Sequence, residues 1–276
     1  MREINLEELK KIELRLLKQF KDICEKEGFR YSLAGGTLLG AVRHKGFIPW
    51  DDDIDISLPR KDYNNFINYC KTHTTPFKLI SHELESSYWY LFAKITAPDT
   101  IIYESNNNPN ELPMGVYIDI FPLDGLADNL FLAKLKFYQS SLYRELLVAK
   151  NWKRFFISKT HSLIVEPIRF ILYLLSRKLS AKRLIHSIEK IYKGINFDCV
   201  KYSTCICGVY RSKEIHETLL YNNFVSLKFE GITCKCFKEY EKYLTLHYGD
   251  YKKLPPLDKR ESHHMFKAYY LDEENV

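Results

Sequence analysis

The sequence has no apolar run long enough to cross a membrane. Its most apolar stretch, residues 163–175, is interrupted by Glu166, Pro167 and Arg169 and falls short of the roughly 20 residues that a spanning helix needs. Residues 1–5 do not begin an apolar segment, so no signal peptide is expected and the sequence predicts a cytoplasmic protein. Low-complexity tracts and internal repeats are also missing, which argues against disordered and solenoid proteins.

Cysteine spacing gives little support for a disulfide framework or a zinc knuckle. Seven cysteines is an odd number, and the small secreted framework in which disulfides are common is missing. Two Cys-x-Cys pairs and one further cysteine lack the Cys-x2-Cys spacing of a knuckle: Cys205, Cys207, Cys234, Cys236 and Cys199. Alternate cysteines on strands are commonly buried small apolar groups, so a structural zinc on these cysteines is not expected.

The composition is that of a folded protein with an uneven charge distribution. With 276 residues and 46% hydrophobic residues, the chain can bury a large core. Residues 150–190 contain ten Lys or Arg against two acidic residues, a surplus of eight that exceeds the net charge of +6. Such a region suits an anionic membrane or another polyanion. A solvated helix face with long basic side chains is the alternative.

Hydrophobic periodicity predicts a mixed α/β first part followed by a mostly helical part. Helices are predicted at 5–27, around 38–42, after Pro59 and within 128–194, and strands at 29–33, 51–56, 77–80, 88–96, 99–104 and 115–122. Residues 106–110 are predicted to form a loop. We expect residues 1–125 to form a catalytic core and residues 126–276 a mainly helical cover, packed with the core as one unit.

The most informative segment is a glycine pair followed by an acidic run. Gly35 and Gly36 form a predicted turn, and aspartates then alternate within residues 51–55. On a strand, side chains two apart share a face, so Asp51, Asp53 and Asp55 are predicted to point the same way. Unit charges about 4 Å apart interact by roughly 4 kcal/mol at an effective dielectric near 20. A cation is therefore expected among these carboxylates.

A later aspartate completes the predicted acidic site. Asp119 lies on the face of its predicted strand opposite Val116, Ile118 and Ile120. Two carboxylates on one strand and a third from a neighbour can hold one or two Mg²⁺ ions, with Mn²⁺ as an alternative. The Gly-Gly turn allows a phosphate to approach the backbone closely. Together these features favour phosphoryl or nucleotidyl transfer.

The acidic run has three other interpretations. An EF-hand loop beginning at Asp51 has Ile56 where that loop requires glycine. The acidic run also fits the Asp-x-Asp motif of metal-dependent glycosyltransferases. This interpretation stays open, although that motif does not require a Gly-Gly-Thr turn upstream. A solvated acidic turn does not explain the isoleucines that alternate with the aspartates.

Residues 35–56 resemble the defining segment of the LicD family. These proteins are bacterial phosphocholine transferases related in sequence to the eukaryotic fukutin-type ribitol-phosphate transferases. Further segments that resemble the family are residues 60–63, 118–125, 229–231, 248–251 and 255–256. The resemblance implies an α+β, nucleotidyltransferase-like fold with a small mixed sheet and flanking helices. It also implies Mg²⁺-dependent transfer of phosphocholine from CDP-choline to a sugar hydroxyl of a teichoic-acid or lipopolysaccharide-type precursor, with release of CMP.

The resemblance assigns roles to residues in the two motifs. Asp53 and Asp55 match the paired metal carboxylates, and Asp119 matches a third that can take the proton of the acceptor. Asp51 is a weaker metal candidate. The phosphate-facing turn corresponds to Gly35, Gly36 and Thr37.

Several further residues are candidates for substrate binding, with surface charge or a structural role as the alternative. Arg43, His44 and Lys45 follow the glycine turn and are candidates for contacts with a diphosphate. The others are Trp50 as an aromatic ring for choline, Lys94 for a phosphate, and His263 after the Pro-Pro pair.

The expected partners are CDP-choline and a lipid-linked glycan acceptor, with peripheral contact at the inner membrane face; no nucleic acid is expected. One alternative keeps the fold and transfers phosphoglycerol, phosphoribitol or a nucleotide. A template-independent enzyme that adds nucleotides to RNA would bind RNA in a salt-sensitive manner through the basic region. A non-catalytic sensor of CDP-choline would not need its carboxylates for its biological function.

Overall fold

The computed structural model describes residues 1–104, 113–158, 162–208, 210–260 and 266–271. The helices are α1 (Leu6–Glu27), α2 (Gly35–Arg43), α3 (Arg60–Thr72), α4 (Leu130–Asn151), α5 (Glu166–Arg177), α6 (Ala181–Tyr192), α7 (Leu219–Asn222) and α8 (Tyr240–Tyr248). The strands are β1 (Arg2–Ile4), β2 (Ser32–Leu33), β3 (Asp55–Pro59), β4 (Lys78–Ile80), β5 (Ala93–Thr96), β6 (Thr100–Glu104), β7 (Tyr117–Ala127), β8 (Tyr202–Thr204), β9 (His216–Glu217), β10 (Phe224–Phe229), β11 (Ile232–Phe237) and β12 (Phe266–Tyr270).

A mixed sheet of seven strands forms the centre of the protein. Its main path has the order β2-β3-β7-β5-β4, with β8 and β9 attached to the far end of β7. Strands β3 and β7 run parallel, and the other pairs in this sheet are antiparallel. A three-stranded sheet (β1-β12-β6) and the β10-β11 hairpin lie beside it. The α+β class predicted from the sequence is confirmed.

Helix α1 closes one side of the core, as its periodicity predicts. Its apolar stripe is buried, including Leu9 and Phe20. Asn5 accepts a hydrogen bond from the backbone N–H of Glu8, whose side chain accepts one from the backbone N–H of Asn5, so the first turn is capped. Gly28 ends the helix in the left-handed conformation with φ +74°.

The predicted helical region is confirmed by α4, α5 and α6. Apolar residues from α4 and α6 form a second buried cluster, including Phe137, Leu147, Leu184 and Ile188. Among the described residues, no helix is long and apolar enough to cross a membrane. The predicted boundary near residue 125 falls within β7. The division into a core and a cover therefore stays a prediction.

Three predicted strands were too long. The strand predicted from Asp51 begins only at Asp55, because pairing with β2 and β7 starts there. The strand predicted at 29–33 is reduced to Ser32–Leu33, the two residues that face β3. The strand predicted at 88–96 is reduced to Ala93–Thr96, since β4 and β7 offer partners to these residues alone. The loop predicted at 106–110 lies outside the described residues.

The cysteines are free thiols that occupy separate places in the fold. Cys234 and Cys236 are buried on β11 and pack in the main core. Cys205 and Cys207 line the cavity beside Asp55, and Cys199 is exposed.

Candidate active site

The acidic segment is anchored to the beginning of helix α2. The backbone N–H of Ala34 donates to the carbonyl of Asp55 at 2.9 Å. The backbone N–H of Asp55 donates to the Thr37 hydroxyl oxygen at 2.8 Å, and that hydroxyl lies 3.5 Å from the Asp53 carbonyl. Thr37 therefore positions the carboxylate-bearing segment. The predicted phosphate-facing turn is the first turn of α2 rather than a separate loop.

Glycine at the start of α2 makes room for the carboxylates. A Cβ on Gly35 would lie 2.6 Å from the Asp55 Oδ2, and a Cβ on Gly36 would lie 2.7 Å from the Asp51 Oδ2. Gly35 also has φ +52°, a conformation that other residues adopt at a cost. Both glycines are thus packed closely against aspartates, and their predicted contact with phosphate stays a prediction.

Asp55 and Asp119 lie side by side on the parallel strands β3 and β7. Neighbouring strands are spaced by about 4.8 Å, so the two carboxylates share one small region. The backbone N–H of Asp119 donates to the Ile54 carbonyl at 2.9 Å, which fixes the register. Ile118 and Ile120 are buried on the other face of β7, as the alternation predicts.

Alternation also holds in the acidic segment, although its first residues are not in a strand. Asp52 and Ile54 are buried, whereas Asp51, Asp53 and Asp55 are partly exposed. This burial pattern agrees with the prediction that Asp51, Asp53 and Asp55 share one face and Asp52 and Ile54 the other.

The carboxylates repel one another strongly. Burial raises the pKa of the Asp55 carboxyl well above its usual range. The negative charges of Asp53, Asp119 and Asp51 raise this pKa further, and the cation of Lys94 opposes them. Carboxylate oxygens are the ligands that Mg²⁺ prefers, so the donor set fits that ion.

Lys94 neutralises one member of the cluster. Its Nζ lies 2.6 Å from the Asp119 Oδ1, and the lysine side chain is only 6% exposed. The ammonium also lies 3.4 Å from the ring centre of Tyr117 and 5.3 Å from that of Phe92. The sequence predicted that this lysine meets an anion, and the structure gives Asp119 as that anion. Its contact with phosphate stays a prediction.

Glu13 is a member of the acidic region that the sequence analysis missed. The residue is 2% exposed on α1 and faces a small cavity with Asp52 and Asp53. Burial raises the pKa of Glu13 well above its usual range, and the charges of Asp53 and Asp52 add to the effect. The sequence pattern that could have identified Glu13 is its position on the apolar stripe of α1, four residues from both Leu9 and Leu17.

The basic residues after the glycine pair lie at the opposite end of α2. This helix has nine residues, so its ends are about 12 Å apart. Arg43 donates to the Tyr251 carbonyl at 2.9 Å, and Lys45 lies 3.3 Å from the Val42 carbonyl. The His44 ring contacts Trp50 edge-on at 6.3 Å. The structure does not bring these candidates to the carboxylates, and His263 lies outside the described residues.

Two cavities lie near opposite ends of β3. The one beside the aspartates has a volume of about 140 Å³ and is lined by Gly35, Gly36, Asp55, Phe121 and Tyr243, among others. A larger cavity of about 500 Å³ lies beside the ion pair of Arg60 with Asp124. Clustered carboxylates and a helix start point to the smaller one as the candidate active site.

The fold and this carboxylate cluster place the chain among the α+β proteins in which two neighbouring inner strands carry aspartates beside a helix start. The sequence profile described as "LicD/FKTN/FKRP, nucleotidyltransferase domain" matches residues 28–144, a range that includes α2, the acidic segment and Asp119. The lipopolysaccharide cholinephosphotransferase LicD of Haemophilus influenzae is 30% identical over 275 residues, which is 98% of this chain and 100% of that protein. The chain belongs to the LicD family.

Two more distant relatives share shorter segments. An uncharacterised protein of Rickettsia typhi is 27% identical over 208 residues, which is 73% of this chain and 65% of that protein. The human ribitol 5-phosphate transferase FKRP is 49% identical over 43 residues, which is 16% of this chain and 9% of that protein.

Proposed function

We propose that this protein transfers phosphocholine from CDP-choline to a sugar hydroxyl of a cell-surface glycan precursor and releases CMP. The observation that carries the proposal is the cluster of Asp53, Asp55 and Asp119 beside the start of α2. Near full-length similarity to a lipopolysaccharide cholinephosphotransferase supports the phosphocholine cargo and a lipopolysaccharide-type acceptor. A teichoic-acid precursor is the other acceptor of the same chemical kind.

The carboxylates that would hold Mg²⁺, with Mn²⁺ as an alternative, are those of Asp53, Asp55 and Asp119, with Asp51 as a further ligand. When bound, such an ion neutralises the charge of the diphosphate and the charge that develops at the transferred phosphorus. The fit rests on the gathering of four aspartates at a place where burial disfavours the charge of Asp55, because a cation would offset their repulsion.

The chain's own residues would position the reactants and accept one proton. A new P–O bond forms between the acceptor oxygen and the phosphorus of phosphocholine, while the P–O bond to CMP breaks and CMP leaves with the electron pair. Asp119 would take the proton of the acceptor hydroxyl. Lys94 holds the Asp119 carboxylate through its 2.6 Å contact and orients it. The 2.8 Å hydrogen bond to Thr37 holds the backbone of Asp55 in place.

Aromatic rings near Lys94 support a quaternary ammonium substrate. The Trp89 and Tyr90 rings stack at 4.1 Å, and Phe92 contacts both Tyr90 at 5.3 Å and Phe121 at 4.6 Å. Phe121 lines the cavity beside Asp55. Ring faces attract cations that lack hydrogen-bond donors, which is the chemistry of choline.

CMP release tests the proposal and its main alternative. The protein is incubated with Mg²⁺, a glycan acceptor and CDP-choline, CDP-glycerol or CDP-ribitol in turn. We expect CMP release to be fastest with CDP-choline. Faster release with CDP-ribitol would instead favour the activity named for FKRP, whose short match of 49% identity is the reason to include this donor. No release from any of the three would contradict the proposed function.

Catalysis is distinguished from sensing by one conservative substitution. Asp53→Asn removes a carboxylate and keeps the size of the side chain, so the fold is expected to survive. An enzyme loses transfer, whereas a non-catalytic sensor of CDP-choline keeps its biological function. Circular dichroism and complementation of a transferase-deficient strain give the two readouts.

We also propose that the surface around α5 contacts an anionic membrane. This surface comprises the turn Leu163–Val165 and α5, with exposed apolar side chains at Leu163, Ile164, Ile168, Ile171 and Leu175. Ile164 is 85% exposed, which is unusual for an isoleucine. Exposed basic residues nearby supply the complementary charge: Lys153, Arg154, Lys178, Lys182 and Arg183. The protein would bind a lipid-linked acceptor at such a surface.

Liposome flotation tests this contact. We expect the protein to float with vesicles that contain anionic lipid and to float less with neutral vesicles. Ile164→Glu is expected to reduce flotation, while Leu257→Glu, at another exposed apolar position, serves as the matched control. Equal recovery with both vesicle types would contradict the electrostatic part of the proposal.

A further inference from the structure

A buried cluster of two histidines and one glutamate lies outside the acidic site. Glu214, His216 and His247 are 4%, 5% and 6% exposed, and they come from a 3-10 turn (Arg211–Glu214), β9 and α8 respectively. One ligand atom of each residue lies within 4.8 Å of the other two. No sequence motif connects the three, because the fold alone brings them together.

Hydrogen bonding fixes where the proton of His247 lies. Its Nδ1 is 2.9 Å from the carbonyl oxygen of Tyr243, which can only accept, so Nδ1 carries a proton. The Nε2 of a neutral ring then has a lone pair, and it faces the Oε2 of Glu214 at 3.3 Å. Two acceptors that face each other in a buried place need either an additional proton or a metal ion between them.

His216 decides between these two possibilities. Its Nε2 is buried and has no hydrogen-bond partner among the described residues. A proton shared by His247 and Glu214 would leave this nitrogen unsatisfied, whereas a metal ion bound through the His216 Nε2 would satisfy all three groups. The Oε1 of Glu214 already accepts from the backbone N–H of Tyr210 at 3.2 Å, so Oε2 is the oxygen that faces the histidines.

The separation of the Glu214 and His247 ligand atoms matches that of two ligands in a tetrahedral zinc site. With Zn–N and Zn–O bonds of about 2.0–2.1 Å, two ligand atoms of a tetrahedron are about 3.3 Å apart. The Glu214 Oε2 and the His247 Nε2 are separated by 3.3 Å. A proton on the second ring nitrogen that donates to a backbone carbonyl, as in His247, is the usual support for a metal-bound histidine.

We propose that Glu214, His216 and His247 bind a divalent transition-metal ion, with Zn²⁺ as the best match. Two imidazole nitrogens and one carboxylate oxygen suit Zn²⁺ and not Mg²⁺, which prefers oxygen ligands alone. This site differs from a cysteine zinc site, which the sequence argues against.

The ion would hold one wall of the active-site cavity. Glu214 and Tyr243 line the cavity that also contains Asp55. The Tyr243 hydroxyl accepts a hydrogen bond from the backbone N–H of Gly35 at 3.2 Å, and its carbonyl accepts the one from His247. A metal ion that joins α8 to β9 would therefore fix Tyr243, which contacts the start of α2.

Metal content measured by mass spectrometry tests the site. The full chain is produced with Zn²⁺ in the medium and dialysed without chelator; we expect one zinc per chain. His216→Gln and His247→Gln are each expected to lower zinc affinity by about 10–100-fold or more. Losses of this size already follow when a residue that only supports a metal ligand is replaced. Asp55→Asn and the exposed His73→Gln are the controls and should keep zinc. Loss of zinc in Asp55→Asn alone would assign the metal to the acidic site and overturn the proposal.

A crystallographic measurement on the unaltered protein covers the case in which the variants do not fold. We expect an anomalous peak at the zinc absorption edge between the three side chains. No peak there, together with no rise in the melting temperature on adding Zn²⁺, would show that the cluster is an imidazolium–carboxylate pair and would overturn the proposal.

Discussion

Gly35→Ala tests whether glycine at the start of α2 makes room for the metal-binding carboxylates. Two effects add at this position. Alanine at φ +52° costs about 1–2 kcal/mol of stability, because the left-handed conformation crowds its Cβ. The new Cβ would also lie 2.6 Å from the Asp55 Oδ2, so this carboxylate must move by several tenths of an ångström. A misplacement of about 1 Å can cost about 100-fold in rate.

The control for this prediction is Gly28→Ala. Gly28 has φ +74° with no atom within 4 Å of an added Cβ, so it carries the backbone cost without the collision. Urea unfolding is expected to show losses of about 1–2 kcal/mol for both variants. Only Gly35→Ala should also lose about 100-fold in CMP release and bind Mg²⁺ more weakly. Equal activity and equal Mg²⁺ affinity in the two variants would refute the close-packing argument.

Three further predictions concern charge. Lys94→Met leaves Asp119 unpaired and should lower the free energy of unfolding by about 3 kcal/mol, the lower end for a broken buried ion pair, because the Asp119 side chain is 18% exposed; added Mg²⁺ should restore part of this loss in urea titrations. Asp53→Asn should lower CMP release at least about 100-fold without lowering the melting temperature; an unchanged rate would exclude Asp53 as a metal ligand. Burial lowers the pKa of His82, but the hydrogen bond to Glu189 and the charge of Glu83 outweigh it, so this pKa is raised. The stability that it contributes is complete below the ordinary histidine pKa of about 6.5 and is lost as the pH rises through the raised value. His82→Gln should therefore destabilise the protein at about pH 5.5 and have little effect at about pH 8.5, and the same loss at both would contradict this.

The sequence predicted the elements that local patterns determine. Helix α1 was found from its apolar period and from Gly28, and the faces of β7 were found from alternation. Strand ends were predicted less well, because pairing partners decide them. The strand predicted from Asp51 begins only at Asp55, where pairing with β7 starts, and pairing with β2 starts one residue later at Ile56.

The candidate site was also predicted only in part, because local motifs identify some of its residues and the folded chain brings in the others. Asp55 and Asp119 could be matched from two motifs, and their adjacency on parallel strands agrees with that match. Arg43, His44 and Lys45 lie at the far end of a nine-residue helix that starts at the glycines, so their contact with a diphosphate stays a prediction. Glu13 left a readable signal on its helix. The Glu214, His216 and His247 cluster left none, since its members meet only in the folded chain.

The central claim is that the aspartates bind a metal ion that meets the diphosphate of CDP-choline. A crystal soaked with CDP-choline and Mg²⁺ tests it most directly. The account predicts density for an ion that contacts Asp53, Asp55 and Asp119, with the diphosphate beside the start of α2. A diphosphate bound in the cavity beside Arg60, with no ion at the three carboxylates, would contradict it.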